Sequence, residues 1–161
     1  MAPPVNKMDV SESTGKKYYN SLYRHGVDGK RRVQVPAKWR PARSGVEFTL
    51  IFWPKSKEGP CLRVLPPEEM AELVCDIDAM PNGDPNKVVL KRFIGSESVQ
   101  VTVDKGGRIC LPEEMAAAAG IQGEAVLVGL LDRFEIWNPE RYEKVRSSDA
   151  IMAQEAFKMM E

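Results

Sequence analysis

Hydrophobic and polar positions alternate in short stretches along this chain, and the alternation comes round twice in the same order. At residues 32–36, RVQVP sets Val33 and Val35 against Arg32 and Gln34, the two-residue period of a half-buried strand. The aromatic-rich YYNSLYRHGV at residues 18–27 predicts a strand before it. DGK between the two is a turn signal, since Asp-Gly tolerates the positive φ of tight hairpins. Pro36 stops the ladder and opens a short helix, AKWR, that Pro41 ends, with Trp39 facing inward. VEFTLIFW, residues 46–53, has no polar face and predicts a strand covered on both sides. Residues 62–65 are its antiparallel partner, reached through KSKEGP. Pro66-Pro67-Glu68-Glu69 then starts a helix running to about Ile77, with Met70, Leu73, Val74 and Ile77 on one apolar face.

MPNGDPN, residues 80–86, is the clearest boundary. Asp84 is placed to cap the next helix, in which Val88, Val89, Phe93 and Ile94 form an amphipathic stripe. The first pattern then returns as SVQVTV, DKGG, RICLP, EEMAAAAG, AVLVGL and RFEIW. At a spacing of 76, Asp28 answers Asp104, Arg32 answers Arg108, Val33 answers Ile109, Val35 answers Leu111 and Pro36 answers Pro112. One unit is used twice. Asn138-Pro139-Glu140 caps a last helix whose apolar positions are irregular around Ser147 and Ser148, which predicts a break there. The expected organisation is a disordered tail at 1–17, a first unit at 18–79, a linker with its helix at 80–95, a second unit at 96–146, and a C-terminal helix at 147–161.

With 43% hydrophobic and 29% charged residues in 161, the composition is that of an ordinary globular chain. No apolar run reaches the roughly 20 residues of a transmembrane helix, and the N-terminus lacks the apolar segment of a signal peptide. Cys61, Cys75 and Cys110 show no C-x-x-C spacing, and His25 is the sole histidine, so neither a metal site nor another cofactor is expected. Free thiols without an export signal suit a reducing cytoplasm. The net charge of zero conceals an asymmetry: residues 1–60 hold 12 basic against 5 acidic residues, the remainder 11 against 18. Between residues 16 and 43 stand nine basic residues and one acid, Asp28.

That basic stretch centres on the first turn. As a loop, residues 28–32 would fan Lys30, Arg31 and Arg32 towards a polyanion, and the planar fork of arginine suits both phosphate oxygens and the O6 and N7 of guanine. The alternative is structural: Asp28 and Asp104 bond local amides of their turns, and Arg32 and Arg108 pair across them. In the second copy only Lys105 and Arg108 remain, near Glu97, Glu113 and Glu114, so the first unit is expected to do most of any binding. Arg24, Lys38, Arg40 and Arg43 are candidates for flanking phosphate contacts or for a solvated basic face. No Gly-rich phosphate loop follows a strand and no G-x-S-x-G occurs, and the acid pairs after Pro67 and Pro112 are explained by helix starts, so no enzyme is expected.

The doubled D-x-x-x-R, apolar, x, apolar, Pro pattern resembles the MraZ family of bacterial transcriptional regulators, over roughly residues 19–160. The resemblance implies an α+β, mainly β fold, in which two tandem AbrB-type swapped-hairpin units form one double-psi or swapped-hairpin β-barrel with flanking helices. It further implies a cytoplasmic, nucleoid-associated DNA-binding regulator. Such a protein would assemble into rings on short direct repeats of double-stranded DNA upstream of its own cell-wall and division gene cluster, and repress it. The alternative is an antitoxin-like or scaffold protein that binds a protein partner through the acidic C-terminal helix. The family's first motif usually reads D-x-K-G-R. Here Arg31 stands where that glycine is expected, whereas the second copy keeps it as Gly107 and carries its lysine one place early, at Lys105.

Overall fold

The computed structural model describes residues 17–54 and 57–161. Of the expected N-terminal tail only Lys17 falls among them, and residues 55 and 56 of the KSKEGP turn lie outside them. The first half contributes β1 (Leu22–Gly26), β2 (Arg32–Gln34), a 3-10 turn (Ala37–Trp39), β3 (Glu47–Trp53), β4 (Cys61–Leu65) and α1 (Pro67–Asp78). After α2 (Pro85–Ser96) the series repeats as β5 (Ser98–Thr102), β6 (Arg108–Cys110), α3 (Glu113–Ala118), β7 (Glu124–Gly129), β8 (Phe134–Trp137) and α4 (Pro139–Lys158). The fold is thus mixed α+β and mainly antiparallel.

Six strands form one sheet in the order β1-β7-β8-β4-β3-β5, and β2 pairs with β6 in a separate two-stranded ladder. This corrects the expectation of a closed barrel: β1 and β5 are the two edges of an open sheet, and β2 and β6 lie in a layer of their own. The halves nevertheless exchange strands. β1 of the first half pairs with β7 of the second, and β5 of the second pairs with β3 of the first. Even the register follows the repeat, Leu22 opposite Val128 in one half and Ser98 opposite Ile51 in the other. Two equivalent contacts lie on the approximate twofold axis, Val33 opposite Ile109 and Arg63 opposite Glu135.

The apolar run of β3 from Leu50 to Trp53 is explained by the layers. Phe48 and Leu50 face the main core with Val33 and Ile109 of the ladder and Val35 and Leu111 just beyond it, while Ile51 faces α1 and α2 with Leu65, Ile77 and Ile94. Alternating residues of one strand thus enter two different interiors. Trp39 is fully buried at the centre of the main core, its ring 4.8 Å from that of Phe134 and 5.2 Å from that of Tyr23. Its indole donates to the Asn20 carbonyl at 3.2 Å, which removes the cost of an unpaired buried N–H. On the far face α4 covers Cys61, Val126 and Trp137 with Tyr142 and Val145.

Four local expectations are revised. The last helix is continuous through Ser147 and Ser148. Beyond Val145 its apolar residues, Ile151, Met152 and Phe157, are exposed, so their irregular spacing reflects the lack of a core to match. In α2, Asp84 does cap the Asn86 amide at 2.9 Å, but only Ile94 of the stripe is buried and Val88, Val89 and Phe93 face outward. The same holds of Val74 in α1. At the first turn, the left-handed residue is not Gly29 but Arg31, with φ of 60°.

Candidate functional site

The ladder presents its inner residues to the core and its outer ones to the surface. Val33 and Ile109 are fully buried, so Arg32, Gln34, Arg108 and Cys110 lie on the opposite face by the period of two. Each strand is preceded by a four-residue loop built in the same way. Asp28 Oδ1 accepts from the amides of Lys30 and Arg32 at 2.9 and 2.8 Å, and Asp104 Oδ1 from those of Gly106 and Arg108, both at 2.9 Å. An aspartate has the short acceptor arm for these bonds, so it heads both copies of the motif.

The second carboxylate oxygen holds the arginine. Arg32 Nε donates to Asp28 Oδ2 at 2.8 Å. Arg108 Nε stands 3.4 Å from Asp104 Oδ2, an ion pair without hydrogen-bond geometry, and its Nη1 comes within 3.8 Å of Asp28 Oδ2. The antiparallel ladder therefore brings both loops together, and Asp28 touches an arginine from each half. The Arg32 amide first, then the arginine and Lys30 contacts, hold the Asp28 carboxyl below its usual range; the Arg108 amide leads the same shift at Asp104. The outer face at this point is charge-balanced, two carboxylates against two guanidinium groups.

The other cations divide into exposed and engaged. Lys30, Lys38 and Lys105 are exposed. Arg24 forms an exposed pair with Glu124 at 2.8 Å, a contact worth little in water. Arg31 donates from Nε to the carbonyl of Leu111 at 3.1 Å, across the halves. Its left-handed backbone costs about 1 kcal/mol, which a charge-assisted bond of about 1.5–3 kcal/mol can offset. Arg40 donates from Nε to the Val35 carbonyl at 2.8 Å, and its own carbonyl accepts from Lys17 Nζ. A cleft of about 210 Å³ lies between Arg40 and Arg43 on one side and Asp104 and Lys105 on the other. Pro36 and Pro112 end the two ladder strands and lead into the 3-10 turn and α3.

Sequence reasoning named the cations but not their division. The Asp28 contact with Arg108 and the two arginine-to-carbonyl bonds join residues 80 apart or five apart with no local signature. One signal was available: Arg31 and Gly107 are equivalent at the spacing of 76, and only one of them is glycine. Among the described residues no group of His, Cys, Asp and Glu could hold a metal ion, and no helix is long and apolar enough to cross a membrane.

A duplicated α+β chain with two D-x-x-x-R loops side by side on one ladder defines the class. The family described as "MraZ protein, putative antitoxin-like" matches residues 94–159. Proteins named "Transcriptional regulator MraZ" are similar over most of their length. That of Caulobacter vibrioides is 33% identical over 135 residues, covering 84% of this chain and 86% of the relative. Those of Roseiflexus sp. (strain RS-1) and Clostridium tetani are 33% and 32% identical, covering 78% and 86% of this chain and 85% and 94% of theirs. The chain belongs to the MraZ family.

Proposed function

We propose that this chain is a sequence-specific DNA-binding transcriptional regulator, acting as a repressor on short direct repeats upstream of its own cell-wall and division gene cluster. It works in the cytoplasm, associated with the nucleoid, as a ring-shaped homo-oligomer of AbrB-type swapped-hairpin units. The exchange of β1 and β5 between the halves supports that last description. The observation that carries the reading is the meeting of the two loops. Arg32 and Arg108 sit on one outer face within reach of the single carboxylate Asp28, with Lys30 and Lys105 exposed in the same two loops. The relatives' shared name as transcriptional regulators agrees with it.

The charge balance at the ladder argues for weak single contacts. Nonspecific binding of such a surface is on the order of 10⁻⁴–10⁻⁶ M. Several copies on one ring, each meeting one repeat, raise the affinity through effective concentration. Mobility shift on DNA with one, two and three repeats tests this. Affinity should rise steeply with repeat number, and equal affinity for all three would count against the reading.

The family description also contains "antitoxin-like", which favours a second reading as a partner-binding protein. Retention on heparin separates the two: a nucleic-acid binder elutes earlier as salt rises, and a scaffold of zero net charge is scarcely held at any salt.

A further inference from the structure

We propose that Arg31 and Arg40 are positioning residues that hold the paired loops in shape and do not themselves meet the polyanion; the inference rests on the nucleic-acid reading above. Val35 and Leu111 occupy the same place in the two halves, each the last residue before the proline that ends its ladder strand. Their carbonyls each accept from the Nε of an arginine, Arg40 for Val35 and Arg31 for Leu111. The two arginines come from different places in the repeat.

Gly107 explains why. It is the equivalent of Arg31, and both have left-handed backbones, with φ of 82° and 60°. The Arg40 guanidinium lies over Gly107 so closely that a Cβ there would come within 2.4 Å of Arg40 Cζ. Where the guanidinium arrives from beyond the short helical turn, glycine at the loop residue leaves it room without a shift. The second half offers Ala116 at the spacing of 76 from Arg40, with no guanidinium to give, and its Leu111 carbonyl is met instead by Arg31, the left-handed residue of the first half's loop. The first half thus supplies a guanidinium to each of the two equivalent carbonyls, its own and its partner half's, by different routes.

The same backbone positions close the ladder. Val35 N–H donates to the Gly107 carbonyl and Leu111 N–H to the Arg31 carbonyl, both at 2.8 Å. An arginine bonded to Val35 or Leu111 therefore clamps the strand end that holds the opposite loop. Neither Arg31 nor Arg40 is fully exposed, in contrast to Lys30, Lys38 and Lys105. Unlike Arg32, whose Nε is held by a carboxylate of the outer face, Arg31 and Arg40 are held by backbone carbonyls at the strand ends, and moving either to a phosphate would give up that contact with the backbone.

Salt dependence distinguishes a clamp from a phosphate contact, because each neutralised phosphate contributes about 0.9 to the slope of log K against log salt. Arg31→Met, Arg40→Met and Lys30→Met would be measured on the duplex upstream of the protein's own gene, alongside amide hydrogen exchange of the free proteins. Both arginine variants should bind about tenfold more weakly at every salt concentration with the slope unchanged. Exchange should quicken at Val35 in Arg40→Met and at Leu111 in Arg31→Met. Lys30→Met should lower the slope by about 0.9 with exchange unaltered. An arginine variant with the slope lowered by about 0.9, or with exchange like the wild type, overturns the inference. Should Arg40→Met not fold, Arg40→Lys keeps the charge: quicker exchange at Val35 with an unchanged slope supports the clamp, and wild-type exchange overturns it. Failure of the wild type to bind any duplex would sink the functional reading instead, and leave the exchange results to judge the clamp alone.

Discussion

Arg63 and Glu135 hold the same place in the two halves of the chain, and they face each other across β4 and β8 with Nε 2.8 Å from Oε2. A perfect repeat would set like against like here. The chain sets a cation against an anion, and secures both: the Arg63 guanidinium lies 4.1 Å from the centre of the Trp53 ring, and Glu135 Oε1 accepts from Trp137 Nε1 at 2.9 Å. Glu135 is buried, so these contacts stand in for the water its side chain has lost.

Removing one partner should therefore cost far more than removing both. Glu135→Ala is expected to lower stability by about 3 kcal/mol, because it leaves Arg63 and the indole N–H unpaired. Arg63→Met with Glu135→Gln should recover most of that, since the amide oxygen still accepts from Trp137. Urea denaturation measures both, and a loss under about 1 kcal/mol for Glu135→Ala would show the pair to be incidental.

The loop aspartates should make stability depend on acid pH. Their carboxyls titrate below the ordinary value of 3.8 in the folded chain, held down chiefly by the amides of Arg32 and Arg108. The stabilisation is complete above that value and is lost as pH falls through the lower folded-state pKa. Asp28→Asn keeps an acceptor for the two amides without the titration. Its urea midpoint should thus fall less steeply than that of the wild type below about pH 4, and identical slopes would refute the assignment.

Asp28→Ala should weaken DNA binding, although it removes a negative charge from the proposed interface. Simple electrostatics would give the opposite sign. The loss is expected to be about tenfold, because the loop amides and Arg32 lose the carboxylate that orients them. Fluorescence anisotropy at fixed salt reads the sign directly, and tighter binding would rule out the orienting role.

Gly129→Ala should loosen the N-terminal end of the described chain. A Cβ at 129 would lie 2.3 Å from the Tyr19 carbonyl oxygen, backbone against side chain with nowhere to move. The Tyr19 pairing with Leu131 must shift, and with it a ring packed against Trp39 and Phe134. A cost of about 1–3 kcal/mol is expected, visible in the thermal midpoint and in tryptophan emission; an unchanged midpoint would contradict it.

Much of this fold is written locally. The strands at β2, β3, β4, β6, β7 and β8, the helix starts at Pro67, Pro85 and Pro139, and the caps at Asp84 and Asn138 all follow from period, proline and short side-chain acceptors, which act over a few residues. The duplication is also a property of sequence alone, and it anticipated that whatever one half does the other does nearly so. The D-x-x-x-R loops were legible as turns for the same reason: the aspartate bonds amides two and four residues on.

Strand partners were beyond that range. An alternating pattern says that one face is covered and says nothing of which strand covers it, so neither the exchange of β1 and β5 nor the open sheet could be read from it. The stripe of α2 and the far end of α4 show the same limit, since an apolar face becomes core only where the tertiary structure supplies a neighbour. At the site, the sequence determined which residues carry charge. Only the folded chain decided that Arg32 and Arg108 converge on Asp28 while Arg31 and Arg40 bond carbonyls, because those contacts join segments brought together by the antiparallel ladder rather than by adjacency along the chain.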